Sequence, residues 1–155
     1  GEPTLWQELP EFISDIRSLG YAVKLDTNGT NPDMLKELLS DGLLDYMAMD
    51  IKNGPSRYAI TCGGEDVIDS VRESAALLLN GTAEYEFRTT VCKPLQKEMG
   101  EIGRMLRGAK RYFIQPFADS GDLVAGDVQA HTREELVRLR QAVLPYIPNT
   151  ELRGI

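Results

Sequence analysis

Apolar residues along the chain recur at two alternating periods. From Leu5 to Leu19, Leu9, Phe12, Ile13, Ile16 and Leu19 return every three or four positions, which predicts a helix burying them as one stripe. Pro10 suits its first turn and Gly20 its stop. Tyr21 to Asp26 alternates as a strand, with Val23 and Leu25 on one face and Lys24 and Asp26 on the other. Asn31-Pro32 then opens a helix with Met34, Leu35, Leu38 and Leu39 inward, ended by Gly42. Asp45 to Lys52 is a second strand, with Met47, Met49 and Ile51 opposite Ala48, Asp50 and Lys52. A helix follows from Asp66 to Leu79, then a strand from Glu84 to Val91 with Tyr85, Phe87 and Thr89 opposite Glu86, Arg88 and Thr90. Pro94 opens a helix carrying Leu95, Met99, Ile102 and Leu106, in which Gly100 and Gly103 each cost about 1 kcal/mol of helix propensity relative to Ala. Arg111 to Phe117 is a fourth strand, and 118–130 a polar loop. Thr132 and Glu135 form a capping box for a last helix with Leu136, Leu139, Val143 and Tyr146 inward, and 150–155 is compatible with a short final strand.

Strand–helix units at roughly 30-residue spacing predict parallel strands joined by right-handed crossovers. A doubly wound sheet and a (β/α) barrel both satisfy that order. Strands covered on both sides read as near-continuous apolar runs, and these do not. One face carries Lys24 and Asp26, then Asp50 and Lys52, then Glu86 and Arg88, and Gln115 continues the row. The expected α/β fold is therefore a partial parallel (β/α) barrel of about four strands with flanking helices, the charged faces turned inward. The charges would gather at the carboxyl ends of the strands, where such folds bind ligands. Mixed signs suit a polar or zwitterionic ligand. The alternative is a self-satisfied ion-pair network, with Lys24 on Glu86 and Asp50 on Lys52.

The 155 residues read as a single domain over 1–155, and a net charge of −7 argues against nucleic acid as the partner. No apolar run reaches the roughly 20 residues of a membrane helix, and the first ten residues do not read as a signal peptide, so a cytoplasmic location is expected. Cys62 and Cys92 are too few for a disulfide framework and are read as reduced thiols. Asn28-Gly29-Thr30 and Asn80-Gly81-Thr82 are read as turns rather than glycosylation sites. His131, the only histidine, precedes a helix cap and is read without a metal or proton-transfer role. Trp6 is expected to pack under the first helix. Asp119-Ser120-Gly121-Asp122 is read as a solvated loop.

Five segments together resemble the radical SAM superfamily, which splits S-adenosylmethionine reductively at a 4Fe–4S cluster. Gly1-Glu2-Pro3-Thr4-Leu5 resembles the latter part of the family's Gly-Gly-Glu-Pro motif, and Asp26-Thr27-Asn28-Gly29 the end of the following strand. The stretch from Asp45 to Lys52 resembles the subgroup that activates glycyl-radical enzymes. Phe87-Arg88-Thr89-Thr90-Val91 and Gln115-Pro116-Phe117 resemble in particular the activating proteins of anaerobic ribonucleoside-triphosphate reductase. The resemblance covers nearly the whole chain.

It implies that Gly1 and Glu2 mark the site of the methionine amino group. Asp26, with Thr27 and Asn28, and then Asp50 and Lys52 would line the floor under the carboxylate and ribose. Arg88 and Gln115 would extend the wall. The family's cluster sits on Cys-x3-Cys-x2-Cys after the first barrel strand, a segment that would lie before Gly1, and Cys62 and Cys92 are 30 residues apart. The chain opens at Gly1 rather than Met. It is therefore expected to be the C-terminal part of such an enzyme, without its first two strands. It would hold no metal and no catalytic residue, and be inactive alone. The parent's protein substrate would be a glycyl-radical enzyme, and the bare edge at Tyr21–Asp26 would invite self-association. Other readings are a non-catalytic half-barrel module for a nucleoside or zwitterion, and a radical SAM enzyme with a different substrate. A phosphate-binding barrel lacks its glycine-rich loop.

Overall fold

A computed structural model describes residues 1–96, 98–118 and 128–155. Most of the polar loop expected over 118–130, including Asp119–Asp122, lies outside the described residues. A 3-10 turn at Pro3–Leu5 leads into α1 (Leu9–Ser18), β1 (Lys24–Thr27), α2 (Pro32–Ser40) and β2 (Tyr46–Asp50). A second 3-10 turn, Pro55–Arg57, runs into α3 (Tyr58–Thr61). Then come α4 (Ile68–Asn80), β3 (Glu84–Val91), α5 (Met99–Met105), β4 (Tyr112–Pro116), α6 (Arg133–Val143) and β5 (Thr150–Leu152). The strands lie in chain order in one sheet, and every pairing is parallel. The sheet is open, with β1 and β5 at its edges, and is thus a partial barrel. It has five strands rather than about four, because 150–152 pairs with β4.

The apolar strand faces form the core with the helices. Leu25, Met47, Met49, Ile51, Tyr85, Phe87, Val91, Tyr112 and Ile114 are all buried, together with Leu35 and Leu38 of α2 and Val71, Ala75 and Leu78 of α4. Removal of this much apolar surface from water is what holds the sheet and helix layers together.

Three expectations need correction. Phe12 and Leu19 are 49% and 74% exposed, and only Leu9 and Ile13 of the expected stripe are buried. α1 precedes the edge strand of an open sheet, so among the described residues no further element covers its far side. Trp6 is 46% exposed and lies against the Phe12 ring, centroids 5.3 Å apart, instead of packing beneath the helix. The helix after β3 begins at Met99, not Pro94, because Leu95 N–H donates to the Cys92 carbonyl (3.0 Å) and closes a turn first.

Gly103 shows why a poor helix former sits inside α5. A Cβ there would lie 2.7 Å from the Tyr146 ring, which packs directly on the helix backbone. Helix propensity alone favours Gly103→Ala by about 1 kcal/mol. Packing reverses the sign, and the variant should lose about 1–3 kcal/mol in urea unfolding. Gly103→Ala in a Tyr146→Ala background should recover the propensity gain.

Candidate functional site

Asp26, Asp50 and Arg88 come from three neighbouring strands and meet on the inner face. Register places Asp26 beside Ala48 and Asp50 beside Arg88. The small side chain of Ala48 leaves the guanidinium a path across β2. Arg88 Nε donates to Asp50 Oδ1 and its NH1 to Asp26 Oδ2, both at 2.9 Å. Lys24 Nζ stands 3.4 Å from Asp26 Oδ1, and Lys52 Nζ 3.2 Å from Asp50 Oδ2. The result is a line of alternating charge, lysine–aspartate–arginine–aspartate–lysine. Its centre is sheltered, with the Arg88 side chain 15% exposed, and its two lysine ends are open, at 50% and 45%.

Burial alone would raise the Asp26 carboxyl. The Arg88 hydrogen bond and the charges of Arg88 and Lys24 outweigh it and hold the group below its ordinary value of 3.8. Burial likewise opposes, without overcoming, the two carboxylates that raise Arg88.

The pairing expected of Lys24 with Glu86 does not occur. Lys24 turns to Asp26, and Glu86 sits one layer deeper. Glu86 takes two hydrogen bonds from Arg153 (2.8 and 3.0 Å) and one from the Tyr46 hydroxyl (3.0 Å). Burial would raise this carboxyl too, but Arg153 and Tyr46 hold it low. Arg153 also covers the Phe113 ring, 3.6 Å from its centroid. Sequence reasoning missed Arg153, since it follows the last strand and carries no motif.

Glu2 faces the turn after β1. Its Oε1 accepts from Thr4 N (3.2 Å), Thr4 Oγ1 (2.7 Å) and Thr27 Oγ1 (2.7 Å), and its Oε2 from Asn28 N (2.6 Å). Thr27 is buried on the helix side of β1, where its oxygen also accepts from Gly29 N at 3.1 Å. Asn28 Oδ1 is occupied by the amide and hydroxyl of Thr30. These side chains shape the rim and do not join the charged line. Gly1 is exposed beside them. Gln115 continues the inner face but bonds Thr90 (2.9 Å), one register step beyond Arg88.

The loops at the strand ends are tied together by side chains with no obvious sequence signal. Gln96 donates to the Lys52 carbonyl (2.7 Å) and accepts from Cys92 N (2.8 Å). Asn53 donates to the Leu95 carbonyl (3.1 Å) and to Thr61 (2.9 Å). The Tyr58 hydroxyl accepts from Lys52 N (3.3 Å), and burial pushes its phenol up to about 12. Burial also raises both thiols. Among the described residues no three Cys, His, Asp or Glu side chains gather as a metal site, and two cysteines cannot supply the ligands of a 4Fe–4S cluster. The inner face presents two half-exposed lysines, and two aspartates whose oxygens are shared between Arg88 and those lysines.

The open parallel sheet with its flanking helices is shared with solved structures. The chain superposes on a domain of pyruvate-formate lyase-activating enzyme from Bacteroides vulgatus with a TM-score of 0.73 at 15% identity, covering 99% of this chain and 95% of that one. A radical SAM methyltransferase from Sphaerobacter thermophilus gives 0.73 at 15% identity, covering 99% of this chain and 48% of that one. In sequence, the whole chain is 29% identical to 68% of a Methanocaldococcus jannaschii protein named "Putative glycyl-radical enzyme activating enzyme MJ1227". No protein-family model matches the chain. No helix among the described residues is long and apolar enough to cross a membrane.

Asp26 and Glu86 are both held below their ordinary values, so each adds stability that is present above those values. That stability disappears as pH falls through the lower, folded ones. Arg88→Met should raise the Asp26 pKa, read by carboxyl NMR titration, and cost about 1 kcal/mol by leaving each carboxylate with only its exposed lysine. Arg153→Met should move Glu86 and leave Asp26 where it is.

Proposed function

We propose that this chain forms the S-adenosylmethionine floor of a radical SAM enzyme that activates a glycyl-radical enzyme. The observation that carries the proposal is Arg88 bridging Asp26 and Asp50 at the strand ends, with the two lysines open beside them. The similarity to an activating enzyme in sequence and to radical SAM domains in fold supports it.

In this reading Lys52 takes the methionine carboxylate and Asp26 and Asp50 take ribose hydroxyls, while the rim at Glu2 and Asn28 orients the amino end. Arg88 fixes the orientation of both carboxyl groups, and the oxygens that now face Lys24 and Lys52 are the ones ligand hydroxyls would reach. Gln115 extends the wall. S-adenosylmethionine, when bound beside a reduced cluster, supplies a 5′-deoxyadenosyl radical. The cysteines of this chain do not fit a cluster, so no step of that chemistry falls to its residues, and the chain alone is expected to be inactive. The motifs around Arg88 and Gln115 favour anaerobic ribonucleotide reductase as the partner of the complete enzyme. A cytoplasmic location suits its reduced thiols.

Calorimetry of S-adenosylmethionine on the chain should show weak, saturable binding. Lys52→Met and Asp50→Asn should each weaken it about tenfold, or about 1.4 kcal/mol. Affinity unchanged in both variants would remove the floor from this face. Adenosine binding as tightly as S-adenosylmethionine would favour the plain nucleoside module.

A further inference from the structure

The segment before α6 lies against the loop after β3, held by paired backbone hydrogen bonds between Lys93 and Gln129 (2.8 and 3.2 Å). Between them is a cavity of about 280 Å³ lined by Cys92, Lys93, Pro94, Gln96 and His131. The His131 side chain is only 10% exposed, and among the described residues neither ring nitrogen has a hydrogen-bond partner. Its Nδ1 is turned to Glu135 Oε2 at 3.6 Å, beyond bonding distance. Glu135 is already engaged by Thr132 N (2.8 Å) and Lys93 Nζ (2.6 Å). A buried imidazole without partners is costly, and in native structures water, an ion or a ligand usually supplies the missing bond.

The other polar groups of the wall are committed. Lys93 is paired with Glu135, and both ends of the Gln96 amide are bonded. Burial keeps the Cys92 thiol protonated. Among the described residues the wall is otherwise apolar and carries no unpaired charge. A ligand here must therefore be uncharged, small and able to bond Nε2. The volume falls just below the roughly 300–1,000 Å³ typical of pockets for drug-sized molecules. The cavity is tied to the loop after β2, because the Gln96 amide bonds the Cys92 N–H and the Lys52 carbonyl.

We propose that this cavity receives a short uncharged peptide segment of small residues, with one backbone N–H bonding Nε2 of His131. This rests on the reading that the enzyme's substrate is a protein presenting a glycine. It assigns His131 and the Cys92–Gln96 loop to holding that peptide beside the nucleoside floor.

The single histidine gives one imidazole resonance, which makes the test direct. The probe is acetyl-Ala-Gly-Ala-Gly-amide, titrated into the chain with the ¹³Cε1 signal followed by NMR. A saturable shift is expected with the peptide and none with sodium acetate. Calorimetry should show His131→Phe weakening the peptide by about tenfold and His131→Gln by less, since its amide restores the hydrogen bond. Thermal unfolding confirms that both variants fold. No shift at tens of millimolar peptide, or equal peptide affinity in His131→Phe, overturns the assignment. S-adenosylmethionine binding is measured on the same samples. Its loss with the peptide shift intact would defeat the nucleoside floor alone, and the reverse would defeat the peptide cavity alone.

Discussion

One guanidinium makes the inner face of the sheet possible. Asp26 and Asp50 approach each other from adjacent strands, and two carboxylates so placed repel unless a cation lies between them. Arg88 occupies that place with hydrogen bonds to both, and it reaches Asp26 only because Ala48 stands in the intervening register position. Three cations against two carboxylates leave the line slightly positive and its lysine ends open to water. A face of this kind is internally satisfied at its centre and available at its edges, which suits a ligand that exchanges ion pairs rather than filling an empty hole.

The deeper layer lets that face stand where it does. Glu86, Arg153, Tyr46 and Phe113 cluster beside Arg88, with a carboxylate 6% exposed that is fully bonded and a half-exposed guanidinium lying on an aromatic ring. Burying such a group is tolerable only when its lone pairs are used. The rim is built by the same rule. Glu2 satisfies the turn after β1, and Asn31 donates back to the Thr4 carbonyl (2.6 Å) while capping α2. Gln96 and Asn53 connect the loops after β2 and β3. Polar side chains at the strand ends thus work mostly as rigid supports, while Lys24 and Lys52 stay half exposed and the His131 imidazole has no hydrogen-bond partner among the described residues.

Periodicity alone was enough to identify four of the five strands and most helices, because alternation and three-to-four spacing are local properties of a pleat and a helix turn. Strand parity followed from the same alternation, so Asp26, Asp50 and Arg88 could be put on one face without coordinates. What each charge pairs with was not local. Lys24 pairs with Asp26, while Glu86 is held by Arg153 from beyond β5. Thr27 and Asn28 matched a motif yet proved to be bonded within the turn, and Phe12 and Leu19 kept the helical spacing yet had nothing to pack against. The residue order determined the alternating elements, the polar inner face and the chain's two thiols. Only the tertiary structure decided the partners of those charges, the enclosure of His131 and the place of Gly103 under Tyr146, since each depends on residues tens of positions apart brought within a few ångströms.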